Sequence, residues 1–570
     1  MRIAFAAGFA TALAAGVACA ASPPPVGAEH GMVVSAQQHA TRVGVDVLRR
    51  GGNAVDAAVA VGYALAVVYP AAGNLGGGGF MTLQLASGTK TFVDFRERAP
   101  LAANADMYLD AAGQPVRGAS TRGYGAAAVP GTVAGLEHAR EKYGTRSRAE
   151  LIAPAIRLAR EGFELEQGDS EMIGIAAGAL ARDPASAAIF LDAGRAPAAG
   201  TRLVQADLAR SLEAIAIDGP AAFYRGPIAR AMVEASRAGG GRFAAADFEQ
   251  YAVRERAPIE CDYRGYHVVS APPPSSGGVV LCLMLQVLEG YSLKDWGFRS
   301  AQAVHHQIEA MRHAYADRNH WLGDPDFVDN PVARLLDPAY AARLREAISP
   351  QRAGVSREIR PGVPPHEGSH TTHYSIVDAA GNAVSVTYTL NGWFGAAVTV
   401  PGTGIVLNNE MDDFTVKRGV PNFYGLVQGD ANAIAPGKRP LSSMSPTILT
   451  RDGKPLMVVG TPGGSRIITA VLHTILNVID YGMTIQEAVD APRFHQQWLP
   501  EATALEPFAL SPDTRRLLEA MGHVFTEQRP ANHVAAILVG APSLGGRPRG
   551  KARVYGANDP RYGTGLALGH

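Results

Sequence analysis

Two threonines, Thr371 and Thr372, open the run Thr371-Thr372-His373-Tyr374-Ser375-Ile376-Val377. A turn of Asp378-Ala379-Ala380-Gly381-Asn382 follows, and then a second β-branched and apolar run, Ala383 to Asn391. Alternation on both sides of such a turn predicts a β-hairpin. The loop that feeds it, residues 361–370, is rich in Pro, Gly, His and Glu. A hydroxyl residue at the head of a buried strand is what a chain cut at that point would need. Thr371 would then hold a nucleophilic hydroxyl and a free α-amine as its neighbouring base. Taken alone, such a pair is more often two ordinary β-branched strand residues with hydroxyls bonded to the backbone. Other segments shift that balance.

Leu456 to Gly460 reads as a strand running into Thr461-Pro462-Gly463-Gly464-Ser465-Arg466, then a helix over Ile467 to Val478. Paired glycines there expose backbone N–H groups, which suits an oxyanion site and suits a plain helix start equally. Gly404 to Phe414 reads as a strand ending in Asn408-Asn409-Glu410-Met411-Asp412-Asp413. Clustered carboxylates beside amides mark a metal site, a solvated turn or a site for a cationic ligand. The metal is disfavoured, because no His joins the group and the acids lack calcium-loop spacing. Ser442 and Ser443 lie in an otherwise apolar stretch, Pro440 to Pro446. Residues 418–430, with Pro421, Tyr424 and three glycines, have the makeup of a mobile surface loop that could act as a lid. The glycine run Gly73 to Gly79 lacks the Lys and Ser/Thr of a phosphate loop and reads as a tight backbone turn against a strand.

These residues need a large scaffold. A chain of 570 residues suggests two to four domains or subunits, and 18% charged with 47% apolar residues indicates a globular protein. Lys+Arg and Asp+Glu are 52 each, so no global field favours nucleic acid or an anionic membrane. Val33 to Arg50 reads as a strand and an amphipathic helix stopped by Gly51-Gly52, and Ala54 to Tyr69 as a buried helix with Asp56 near its start. A strand pair, Phe80–Ser87 and Thr91–Phe95, precedes a mainly helical middle over residues 130–350, interrupted at Pro272 to Gly278. Arg2, an apolar run to Val17 and the small-residue site Ala18-Cys19-Ala20 have the form of a signal peptide over residues 1–20. An uncleaved anchor and a lipid-modified Cys19 are the alternatives. Past the leader only Cys261 and Cys282 remain; they could bridge, and nothing in the sequence requires it.

Together the segments Gly51 to Ala58, Phe95-Arg96-Glu97, Pro272 to Gly278, Thr371 to Ser375, Asn408 to Phe414, Pro440 to Pro446 and Pro462 to Arg466 resemble the γ-glutamyltranspeptidase family, in the family's order. The resemblance implies an α+β fold of the N-terminal-nucleophile hydrolase type, a four-layer αββα sandwich built from one precursor. It implies a cut between His370 and Thr371, giving a large subunit (21–370) and a small subunit (371–570) that stay together as a heterodimer. Thr371 is then the nucleophile, Thr389 its hydrogen-bonding partner, and Gly463 and Gly464 the oxyanion donors. Arg96, Ser442 and Ser443 would hold a substrate α-carboxylate, and Asn391, Glu410 and Asp413 its α-ammonium; Tyr424 would belong to the lid. The implied activity is transfer of a γ-glutamyl group, from donors such as glutathione, to amino acids, dipeptides or water. It needs no metal and no cofactor, has no nucleic-acid partner, and is periplasmic or secreted.

Two departures stand out. Gly392-Trp393 replaces the pair of hydroxyl residues that many members carry, so Trp393 is expected to reshape the pocket mouth. Glu410 stands where other members have Gln, which makes the pocket more acidic. Cephalosporin acylases share this architecture, and a non-catalytic γ-glutamyl-peptide binding protein is the alternative from a different class.

Overall fold

The computed structural model describes residues 22–359, 371–530 and 532–570. The expected leader and His370 lie outside the described residues. Strands β1 (Val26–Ala28), β2 (Met32–Ser35), β3 (Gly78–Gln84) and β4 (Lys90–Phe95) come early in the chain. Strands β5 (Arg254–Arg256), β6 (Ile259–Tyr263) and β7 (Tyr266–Ser270) interrupt the helical middle. The central hairpin is β8 (Thr372–Val377) and β9 (Ala383–Thr389). Strands β10 (Thr447–Arg451), β11 (Lys454–Gly460), β12 (Ala535–Val539), β13 (Val554–Asn558) and β14 (Leu566–Gly569) complete the set. They form two seven-stranded sheets, ordered β14-β2-β8-β9-β3-β4-β5 and β1-β13-β12-β11-β10-β7-β6.

Period-two alternation explains how the hairpin sits between layers. Tyr374, Ile376, Val384, Val386 and Tyr388 face one way, into a core shared with helices α1 (Gln38–Arg49) and α2 (Ala54–Val68). The opposite face is polar and meets the other sheet. There His373 Nδ1 lies 2.8 Å from Thr387 Oγ1, and Ser375 Oγ donates to Ala535 O of β12 at 3.0 Å. A small apolar core of Met32, Val34, Val377, Ile448, Val458 and Ile537 completes the contact between sheets. Outside the second sheet, helices α3 (Gly277–Glu289), α4 (Ala301–Trp321) and α5 (Arg466–Ile479) pack on Val268, Leu449, Met457 and Val459. The layers are therefore helix, sheet, sheet, helix, as the resemblance implied.

Local signals account for most boundaries. Helix α2 begins where the Asn53 side chain accepts from Val55 and Asp56 N–H while Asp56 accepts from Asn53 N–H, a reciprocal cap. Asp378 of the hairpin turn accepts from Ala54 N–H at 2.9 Å and ties the hairpin to that helix. One expectation fails. Only Ile405–Val406 of the segment 404–414 is strand, and Glu410–Asp413 is a 3-10 turn. The reason is Asn408, whose amide accepts from Ala128 and Glu410 N–H and donates to Gly76 O and Ala128 O, taking the place of ladder partners. Cys261 and Cys282 form a disulfide joining β6 to α3, their Cα atoms 6.0 Å apart.

Candidate active site

The register of β8 with β9 pairs Thr372 with Tyr388, which sets Thr371 opposite Thr389. Thr389 Oγ1 donates to Thr371 Oγ1 at 3.4 Å and accepts from Asn391 N–H at 2.8 Å. Both threonines are buried. Behind them, Thr389 O accepts from Asn74 Nδ2 at 2.8 Å, and Asn74 Oδ1 accepts from Gly77 N–H at 3.0 Å. A Cβ on Gly77 would stand 2.0 Å from Thr389 O. The glycine run therefore lets the backbone close on the end of β9 and hold Thr389 still.

The chain then turns sharply at Asn391, whose φ is +72°. Asn391 Nδ2 donates to Asn409 O at 2.9 Å, and Asn391 O accepts from Tyr424 Oη at 2.7 Å. Tyr424 is buried, so it forms a wall of the site rather than the tip of a mobile surface loop as the sequence suggested. Its ring lies on Gly464: a Cβ there would stand 2.2 Å from Tyr424 Cδ1. Gly463 and Gly464 adopt φ of +135° and +57° between β11 and α5, and among the described residues neither N–H donates a backbone hydrogen bond.

Arg96, fully buried, follows β4 and is held by acids. Its Nη2 donates to Asp413 Oδ2 at 2.5 Å, its Nη1 to Glu410 and to Glu97 Oε2, and its Nε to Pro440 O at 3.1 Å. Burial pushes the Glu97 carboxyl up to about 7, against the pull of Arg96. Glu410 and Asp413 are also raised by burial, Glu410 strongly, while the three acids outweigh burial and hold the Arg96 guanidinium firmly charged. Asn391 Oδ1, Glu410 Oε2 and Glu97 Oε1 are buried acceptors without a partner, an uncommon condition that invites a donor.

Ser442 and Ser443 are set by the Pro272–Gly278 turn, since Ser442 N–H donates to Pro274 O at 2.8 Å and Ser276 Oγ donates to Ser442 O at 2.7 Å. All these parts line one small cavity of about 20 Å³: Arg96, Thr371, Thr389, Asn391, Glu410, Asp413, Tyr424, Ser442, Ser443 and Gly464. Gly463 is adjacent in sequence but is not part of the lining. The cavity has room for about one water, far below the ~300–1,000 Å³ typical of sites for drug-sized ligands. It brings the Thr371 and Thr389 hydroxyls together with serine hydroxyls on one side and unpaired acceptors beside acids on the other.

A family model described as gamma-glutamyltranspeptidase matches residues 40–568. The chain belongs to the γ-glutamyltranspeptidase family. It is 68% identical over 552 residues to the glutathione hydrolase proenzyme of Pseudomonas sp. (strain A14), covering 97% of this chain and 96% of the relative. Among solved structures it superposes with TM-score 0.83 on a cephalosporin acylase from Bacillus halodurans, at 26% identity over 96% of this chain and 97% of that one. A Helicobacter pylori gamma-glutamyltranspeptidase chain matches 60% of this chain and 97% of its own length, at TM-score 0.59 and 42% identity.

Of the polar side chains lining this transpeptidase-family pocket, sequence reasoning missed Arg318 and Ser465; it also missed the apolar lining, Leu426, Leu441, Met444 and Ile467, and two residues behind it, Asn74 and Tyr315. Asn74 was visible as the lone polar residue in the glycine run. Tyr315 donates to Ser465 O from one turn before Arg318 on the same face of α4. Trp393 is absent from the lining and meets Tyr562 edge-on with centroids 5.9 Å apart. Among the described residues one trio could in principle hold a metal, His305, Glu309 and His523. Thirteen residues of α4 separate His305 from Arg318, about 20 Å along the axis, so the trio is not part of this pocket.

Proposed function

We propose that this chain is a self-processing γ-glutamyltransferase and glutathione hydrolase with Thr371 as its nucleophile. The observation that carries the reading is the pocket itself: a Thr371–Thr389 hydroxyl pair faces partnerless acceptors, Asn391 Oδ1 and Glu410 Oε2, and serine hydroxyls in one small cavity. In maturation the Thr371 hydroxyl attacks the His370 carbonyl, the peptide nitrogen leaves as the α-amine of Thr371, and water hydrolyses the resulting ester. That amine then takes the hydroxyl proton as Thr371 attacks the side-chain amide of a γ-glutamyl donor. The amine of the donor leaves with a proton, and a γ-glutamyl ester remains on Thr371. Water or the amine of an amino acid or dipeptide resolves it. The Gly463 and Gly464 N–H groups stabilise the oxyanion of both steps; loss of one such donor costs roughly 3–4 kcal/mol.

Specificity follows from charge. A donor α-ammonium fits Asn391 Oδ1, Glu410 and Asp413, and an α-carboxylate fits Ser442, Ser443 and Arg96. A glutaryl group, as an acylase would take, lacks the ammonium and leaves those acceptors unpaired, which disfavours it. A purely binding protein would have no use for the hydroxyl pair. Export is supported by the Cys261–Cys282 disulfide, which persists in oxidising compartments. No helix among the described residues is long and apolar enough to cross a membrane.

The test is the intact mass of the purified protein with N-terminal sequencing of its fragments, beside a γ-glutamyl anilide assay. A fragment beginning Thr-Thr-His-Tyr-Ser and anilide turnover are expected, and Thr371→Ala should abolish both. A Thr371→Ala variant that still splits at this bond would overturn the mechanism.

A further inference from the structure

Arg318 of helix α4 also lines the pocket, and its environment is the opposite of that of Arg96. It is buried to 1% exposure. Its Nε donates to Ser276 Oγ at 3.0 Å, its Nη1 to Asn319 Oδ1 at 2.9 Å and Gln428 Oε1 at 3.1 Å, and its Nη2 to Ser443 Oγ at 2.9 Å. Every one of these acceptors is neutral. Asp413, whose charge reaches Arg318, is bonded to Arg96 at 2.5 Å instead. Among the described residues Arg318 makes no ion pair, whereas Arg96 makes three. A buried guanidinium without a counter-charge is unfavourable until an anion arrives.

The pocket thus holds two cations with unequal surroundings. Arg96 with Glu97, Glu410 and Asp413 is one positive group against three acidic ones, an environment for a cation. Arg318 is positive among amides and hydroxyls, an environment for an anion. Burial lowers its pKa to about 10, which leaves it charged at neutral pH. Its bond to Ser443 matters in a second way. Because Ser443 Oγ accepts from Arg318, the hydroxyl proton of Ser443 is directed elsewhere, and Ser443 too lines the cavity.

We propose that Arg318 is a specificity-determining positioning residue: it aims the Ser443 hydroxyl at the α-carboxylate of the donor and adds, beside Arg96, a positive charge that helps balance it. This rests on the γ-glutamyl reading above. Arg96 keeps its place at the same carboxylate, shared with the acids beside it, and Arg318 acts behind Ser443.

The experiment compares γ-glutamyl-4-nitroanilide with 4-aminobutanoyl-4-nitroanilide, which keeps the amine and the scissile amide but lacks the carboxylate. Matured wild type, Arg318→Gln, Arg318→Lys and Ser443→Ala are assayed for kcat and KM separately. In Arg318→Gln the preference for the γ-glutamyl substrate should fall about 10- to 100-fold, in KM rather than kcat, the scale for one charged hydrogen bond. Arg318→Lys keeps the charge without the fork and should fall by less. If Arg318→Gln does not mature, Arg318→Lys combined with Ser443→Ala decides the matter. The double variant should be little worse than the poorer single, because both remove one interaction. Equal losses on both substrates, a loss confined to kcat, or strictly additive effects of the two substitutions would overturn the proposal. A wild type that matures but ignores γ-glutamyl anilide would instead overturn the function on which it rests.

Discussion

Substituting Gly464 by Ala tests whether the glycine pair and Tyr424 act as one unit. The φ of +57° is left-handed, where an L side chain costs about 1–2 kcal/mol. The added Cβ would stand 2.2 Å from Cδ1 and 2.4 Å from Cε1 of Tyr424. Normal carbon contact is ~3.5 Å or more, so the ring must move by more than about 1 Å. Its 2.7 Å bond to Asn391 O does not survive that shift, at a further cost of about 1 kcal/mol. The expected loss of stability is thus about 2–3 kcal/mol, read as a fall in the unfolding midpoint. Turnover should drop further, by about 100- to 1,000-fold in kcat, because the Gly464 N–H is carried away from the oxyanion. The decisive comparison is the same substitution in a Tyr424→Ala background. With the ring gone only the backbone strain remains, so Gly464→Ala should cost clearly less there. Identical costs in the two backgrounds would refute the role given to Tyr424.

The Glu97 carboxyl, held up at about 7 by burial, stays protonated below that pH and is ionised above it. An α-ammonium binds the ionised form better, so the affinity for an unreactive γ-glutamyl analogue should rise as pH climbs through about 7. Inhibition constants across pH check this, and a Glu97→Gln profile with the same step would count against Glu97. Arg96→Ala leaves three buried acids without their cation and should cost about 3–5 kcal/mol of stability in thermal unfolding. Adding Glu410→Gln should restore part of it. The 21-residue spacing of Cys261 and Cys282 predicts about 3 kcal/mol lost in Cys282→Ala by chain entropy, and a denaturant midpoint unchanged from wild type would contradict that.

Much of the pocket's lining was legible only because several segments were read together. A hydroxyl at a strand head, two glycines before a helix and carboxylates beside amides each fit a plain structural role alone, and it is their joint order that singles them out. The hairpin and helices α1 and α2 were legible one by one, since their periodicities and caps are local. What escaped depended on distant partners. Asn408 looks like the end of a strand until Gly76 and Ala128 occupy its amide. Tyr424 sits in a stretch with loop composition, and only Asn391 and Gly464 show that it is a wall. Arg318 lies in an ordinary helix between polar neighbours, and no pattern in the sequence reveals that its four acceptors are all neutral. The strands of residues 254–270 were readable in principle, because Ile259, Cys261 and Tyr263 alternate with exposed Glu260 and Asp262.

The sheets are woven from both sides of the bond before Thr371. Five strand pairs cross that boundary: β2 with β8, β9 with β3, β14 with β2, β1 with β13, and β7 with β10. Uncut there, the chain regains these pairings after denaturation as a unimolecular event whose rate ignores concentration. Once cut there, as proposed above, the same pairings demand an encounter between two incomplete molecules, each with open sheet edges that also template aggregation. The proposed cut would therefore erase the route by which the fold was reached. The lifetime of the working enzyme is then governed by how rarely it opens rather than by how well it could reassemble.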